Sequence, residues 1–161
     1  MIELRTARLT LTPVTEGDAA FVLELLNDPG WIRNIGDRCV HTLEAAAAYV
    51  RERFQSSPWF VIRSATGEPV GMCGIVVREQ LDSPDLGYAV LERRAGQGYA
   101  TEAARAVTRH VRHGLRLPKL AAITDPNNHA SRKVLEKIGF CFVDTRNLPG
   151  LGLSAYYLAW S

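Results

Sequence analysis

Cysteine is scarce: Cys39, Cys73 and Cys141 stand far apart, odd in number, with no CxxC pair and no histidine at ligand spacing. Neither a disulfide framework nor a metal site is indicated, and reduced thiols are expected. Long apolar runs are also missing, since no stretch approaches the ~20 apolar residues that span a bilayer. The opening Met1-Ile2-Glu3-Leu4-Arg5 has no apolar leader core, so a cytoplasmic protein without a membrane partner is expected. An excess of one charge is lacking: 19 basic residues against 17 acidic give a net +2, too little for a general nucleic-acid field. Repeats, low-complexity tracts and long linkers are absent too, which leaves one domain over residues 1–161.

What is there is the composition of an ordinary globular domain, 47% hydrophobic and 22% charged over 161 residues. Residues 8–14 alternate apolar and polar side chains and predict a strand ending at Pro13. Phe21, Val22, Leu25 and Leu26 have helical spacing over 18–27, and Asn27-Asp28-Pro29-Gly30 is expected to end that helix. A second helix is predicted from an N-cap at Thr42 through Phe54. Strands follow over 59–63, 70–78 and 85–91. A helix from Tyr99 keeps an apolar face through Val111 and Leu115 before Pro118. Then come a strand over 120–124, a helix over 130–138 capped by Asn128, and strands over 140–146 and 154–160 joined by a turn at Asn147 to Gly152. This order predicts a mixed α/β sheet with helices on both faces.

The chemistry concentrates at Ala95-Gly96-Gln97-Gly98-Tyr99-Ala100-Thr101-Glu102, where a strand runs through a glycine turn into a helix. Unpaired N–H groups at a helix start make an anion site, and two glycines let a pyrophosphate approach the backbone. A phosphate-binding P-loop would need Gly-Lys-Ser/Thr, whereas Gly98 is followed by Tyr99 and Ala100. A dinucleotide fingerprint would need a third small residue where Thr101 stands.

Three blocks in order then resemble the GNAT superfamily of N-acetyltransferases, in its RimJ/RimL-like branch that acetylates ribosomal-protein N-termini. They are Thr6-Ala7-Arg8-Leu9-Thr10-Leu11; Asp85-Leu86-Gly87-Tyr88 with Gly96 to Ala103; and Asn128 to Phe140. The resemblance implies a mostly antiparallel sheet of about six to seven strands with about four helices, splayed open at a cofactor strand. It implies acetyl-CoA as co-substrate, no metal, and a primary amine as acceptor. A protein or peptide N-terminus is favoured by the branch, with a small amine such as an antibiotic or polyamine as the alternative. A non-catalytic acetyl-CoA-binding module is the reading from another class, and monomer and homodimer are both compatible.

By the same resemblance, Gly96, Gln97, Gly98, Tyr99, Ala100 and Thr101 hold the pyrophosphate, and Ala89, Val90 and Leu91 lie beside the pantetheine arm, with Val90 N–H meeting the oxyanion. The family pattern Arg/Gln-x-x-Gly-x-Gly/Ala reads here Ala95-x-x-Gly98-x-Ala100, so its first charge is missing; Arg93 nearby is expected to supply it. Asn128 and Ser131 match Asn-x-x-Ser, the asparagine near pantetheine and the serine protonating the leaving thiol. Leu135 stands where many relatives carry an acidic tyrosine. Asp85 is the candidate base, acting through water, while Trp31 and Arg33 in an inter-helix loop and Tyr156 are expected to line the acceptor cleft.

Overall fold

A computed structural model of the chain describes residues 2–160. Its single sheet has eight strands in the order β1-β2-β3-β4-β5-β6-β8-β7. They are β1 (Leu4–Arg5), β2 (Thr10–Pro13), β3 (Trp59–Arg63), β4 (Pro69–Val76), β5 (Asp85–Val90), β6 (Leu120–Thr124), β7 (Cys141–Leu148) and β8 (Gly152–Trp160). Every neighbouring pair is antiparallel except β5 with β6. The helices are α1 (Ala19–Leu26), α2 (Pro29–Asn34), α3 (Leu43–Arg53), α4 (Tyr99–Arg109) and α5 (His129–Lys137). The mixed, mostly antiparallel sheet with helices on both faces is the predicted one, with one short strand and one short helix more than expected. Among the described residues, no helix is long and apolar enough to cross a membrane.

Two cores, one on each face of the sheet, follow from the period of two along its strands. Phe60 and Ile62 point to the face covered by α4 and α5, with Leu11, Cys73, Val107 and Leu135. Val61 points the other way, into a cluster with Val22, Leu25, Val50, Met72 and Leu91 beneath α1 and α3. Because β4 is covered on both sides, Val70 to Ile75 reads as a nearly unbroken apolar run rather than an alternation.

Three expectations are corrected. The first helix does end before Asn27-Asp28-Pro29-Gly30, but Pro29-Gly30 at once begins another, where a loop was expected. The Asp28 carboxylate accepts from Gly30 N–H at 3.1 Å with Pro29 in the first turn, so Trp31 and Arg33 stand on α2 and not in a loop. The apolar stripe of α4 ends at Val111: a π turn over His110–Gly114 widens the helix and leaves Leu115 half exposed. The last hairpin is longer than predicted, since Leu148 and Gly152 pair as strand residues and only Pro149, Gly150 and Leu151 form the turn. The predicted caps form: Thr42 Oγ1 accepts from Ala45 N–H at 3.1 Å and Asn128 Oδ1 from Ser131 N–H at 3.2 Å.

Candidate active site

The sheet opens between β5 and β6. On one side β5 is laddered to β4 from Val76↔Asp85 to Gly71↔Val90; on the other it meets β6 at the one pair Asp85↔Ala121. Leu91 N–H donates to Val70 O at 2.9 Å. Because backbone groups of an antiparallel strand alternate sides, Ala89 also faces β4 while Tyr88 and Val90 turn theirs to the gap. Of the three strand residues expected beside the cofactor, Val90 therefore presents backbone donors and acceptors to it. Ala89 presents only its side chain, toward the α1–α3 face, and Leu91 is fully buried in that core.

At the mouth of the gap the chain makes a 3₁₀ turn over Glu92–Arg94 and enters the glycine loop. Gly96 (φ +79°) and Gly98 (φ +81°) are both left-handed, a conformation that disfavours a β-carbon. The first helical bond runs from Glu102 N–H to Gly98 O at 3.1 Å, so α4 geometry leaves the N–H groups of Tyr99, Ala100 and Thr101 without intrahelical acceptors. Together with the helix dipole they fit a diphosphate. Arg93 does not supply the missing charge: it is paired with Glu24 at 2.6 Å and Glu68 at 3.7 Å, and Arg94 also binds Glu68. The guanidinium at the loop belongs to Arg8, whose Nη1 donates to Gln97 O at 2.8 Å.

Across the gap, Asn128 caps α5 and Ser131 occupies its first turn. Ser131 Oγ lies 2.7 Å from the hydroxyl of Tyr88, which also reaches Ser131 O at 3.0 Å. Burial pushes the Tyr88 phenol well above its usual range, with the Ser131 bond opposing, so Tyr88 stays protonated. Sequence reasoning missed this residue, because an aromatic alternating along a strand reads as core. Leu135 is buried among the same core residues.

Asp85 sits at the apex of the gap, 1% exposed, its carboxylate accepting from Arg78 Nε at 3.0 and 3.2 Å. Burial pushes it up to about 6 despite the opposing charge of Arg78. Strand alternation puts Asp85 and Tyr156 on the sheet face of α1–α3, because Leu86, Ala155 and Tyr157 point into the α4–α5 core. Tyr156 is buried, with Arg146 stacked 3.8 Å from its ring centre. Trp31 is buried under α2, and its indole N–H has no acceptor among the described residues. Arg33 reaches across to Glu92 at 2.6 Å. Trp31 and Arg33 thus lie near the end of β5, and Tyr156 lies on β8.

A sheet parted beside one strand, with left-handed glycines opening a helix at the mouth, is an arrangement that fits an extended ligand ending in a diphosphate. Residues 8–141 match the acetyltransferase (GNAT) domain, and the chain belongs to that family. Among relatives, the uncharacterized protein YkkB of Bacillus subtilis is 41% identical over 91 residues, covering 55% of this chain and 53% of YkkB, so the match spans about half of that relative. The ribosomal alpha-N-protein acetyltransferase RimL in complex with coenzyme A superposes with a TM-score of 0.85 at 16% identity, covering 98% of this chain and 97% of that one. The aminoglycoside acetyltransferase AAC(6')-Ib in complex with ribostamycin and coenzyme A gives 0.78 at 21% identity, covering 93% and 92%. These two likenesses concern the fold.

Proposed function

We propose that the chain transfers an acetyl group from acetyl-CoA to a primary amine, by direct attack with both substrates bound, and that the acceptor is a protein or peptide N-terminus. The observation that carries this reading is the β5–β6 gap: a strand edge free from Tyr88 to Val90, ending at a loop and helix start fit for a diphosphate. An extended amide-bearing arm completes such an edge as a further strand would.

Acetyl-CoA supplies a thioester whose carbonyl carbon takes the amine and whose thiolate leaves. The residues of the chain manage charge and protons around that exchange. Val90 N–H faces the gap as the donor for the carbonyl oxygen. Asp85, ionised above pH about 6, takes the amine proton through a chain of waters along the gap as the N–C bond forms, since about 16 Å of strand separates it from Val90. Ser131, held by the Tyr88 hydroxyl, gives its proton to the departing sulfur as the C–S bond breaks. Tyr88, which burial keeps protonated, holds the Ser131 hydroxyl in place by hydrogen bond, and Ser131 recovers its proton from solvent water once the thiol has left. Asn128 holds the start of α5, and with it Ser131, against the gap.

The choice of acceptor rests on charge. A polycationic sugar or polyamine calls for several unmatched carboxylates, but here Glu92 is paired with Arg33, Glu24 with Arg93, Asp85 with Arg78 and Asp144 with Arg146, and Asp28 is taken up by the backbone N–H groups of Gly30 and Glu92. A single amine on a peptide needs no such excess. Thiol release from acetyl-CoA, followed over a panel of N-terminal peptides, aminoglycosides and polyamines, tests the assignment. Turnover with peptides is expected. Turnover with aminoglycosides alone would reverse the acceptor, and CoA binding without release on any amine would make the chain a binding module.

A further inference from the structure

We propose that Arg8 is the cationic residue of the pyrophosphate site, holding the glycine loop in shape and offering a donor to the phosphates; this rests on the acetyl-CoA reading above. Arg8 lies between β1 and β2, far from the loop in sequence, yet three of its groups are bound to the loop–helix junction. Its Nη1 donates to Gln97 O at 2.8 Å, its Nε to Glu102 Oε2 at 2.7 Å, and its backbone N–H to Glu102 Oε1 at 2.9 Å. The guanidinium carbon also stands 5.0 Å from the ring centre of Tyr99.

Glu102 serves this arrangement by aiming it. Thr6 Oγ1 adds a third bond to the Glu102 carboxylate at 2.6 Å. Although burial pushes that carboxyl up, the bonds from Thr6 and Arg8 hold it below its usual range. The pair thus stays ionised and fixes the Nε edge of the guanidinium. The other edge is left over: Nη2 comes within 3.2 Å of the point where a β-carbon on Gly98 would stand. With Gln97 O drawn outward to Nη1, the neighbouring N–H groups are left for a ligand.

Charge and access agree with this role. Arg93 and Arg94 are drawn away to Glu24 and Glu68, whereas Arg8, though paired with Glu102 through Nε, keeps Nη2 beside Gly98 at the start of the helix. Arg8 is half exposed and lines a groove of about 530 Å³ together with Gly98, Thr101, Arg105 and Lys137. A planar guanidinium with one edge fixed presents its remaining donors at little further cost in entropy, which an ammonium on a flexible stem does not.

The test measures CoA and pantetheine, which lacks both phosphates of the diphosphate, by calorimetry on the wild type and on Arg8→Ala. The expected result is CoA affinity weakened on the order of tenfold or more, with pantetheine affinity unchanged. In turnover the loss falls on KM for acetyl-CoA rather than on kcat. Ala95→Arg added to Arg8→Ala is expected to restore part of the CoA affinity, and Arg8→Lys to retain part of it. Should the alanine variant fail to fold, Arg8→Gln, which keeps a donor for Gln97 O, carries the same comparison. Equal CoA affinity in wild type and variant, or an equal loss for pantetheine, overturns the proposal. A wild-type chain that binds no CoA overturns the acetyl-CoA reading itself.

Discussion

The hydroxyl of Tyr88 on β5 lies 2.7 Å from the hydroxyl of Ser131 on α5, tying together the two sides of the β5–β6 gap. Each of the two hydroxyls has one proton to give, and the carbonyl of Ser131 is a second acceptor for Tyr88. Tyr88→Phe removes the group that orients the Ser131 hydroxyl. A neutral hydrogen bond is worth about 1 kcal/mol, so kcat is expected to fall roughly five- to tenfold with KM for acetyl-CoA little changed. Ser131→Ala is expected to fall at least as far, and the double variant no further than the worse single one. Additive losses in steady-state kinetics would mean that the two hydroxyls act separately.

Asp85 predicts two pH dependences. Its folded value of about 6 exceeds the ordinary 3.8, so the group favours the folded state below pH about 4 and withdraws that support as pH rises through 6. The shift corresponds to on the order of 3 kcal/mol. Urea unfolding at pH about 4 and about 7 should show that decline in the wild type and not in Asp85→Asn. In turnover, kcat/KM should rise with an apparent pKa near 6, a limb that Asp85→Asn removes; a limb surviving the substitution would assign the base elsewhere.

Gly98→Ala and Gly96→Ala should differ. Both positions have φ near +80°, where a β-carbon costs on the order of 1–2 kcal/mol. At Gly96 nothing lies within 4 Å of the new carbon, whereas at Gly98 it meets Arg8 Nη2. Gly98→Ala is therefore expected to raise KM for acetyl-CoA several-fold more than Gly96→Ala does. Equal effects would show that only backbone strain matters.

Trp31→Phe tests the acceptor side. The indole N–H is buried without an acceptor among the described residues, so a peptide carbonyl becomes its partner only if α2 shifts as the acceptor binds. Removing it should raise KM for a peptide acceptor about five- to tenfold and leave KM for acetyl-CoA unchanged. An unchanged acceptor KM would place the amine elsewhere.

The order of elements was legible because it is written locally. Thr42 and Asn128 cap helices within three residues of themselves, and the glycine loop is marked by its own glycines between a strand and a helix. α2 was hidden because Pro-Gly is a breaker on paper and a helix start only once Asp28 turns its carboxylate onto Gly30. The π turn at His110 is a change of helix gauge, which a 3.6-residue pattern cannot register. At the site, the glycines could be read from their own neighbours, whereas Tyr88 and Arg8 act on partners 43 and 89 residues away. Their partners are chosen by sheet register, and no local spacing marks them.

Ala121 has one further consequence. It is the β6 residue paired with β5, so β1–β5 and β6–β8 form two leaves joined at a single stitch, with α4 as the strap between them. A molecule slid between the leaves works as mortar as well as reagent. Its loss should be felt first in the amides of β6 and β8, which would exchange with solvent ahead of those in β3 and β4.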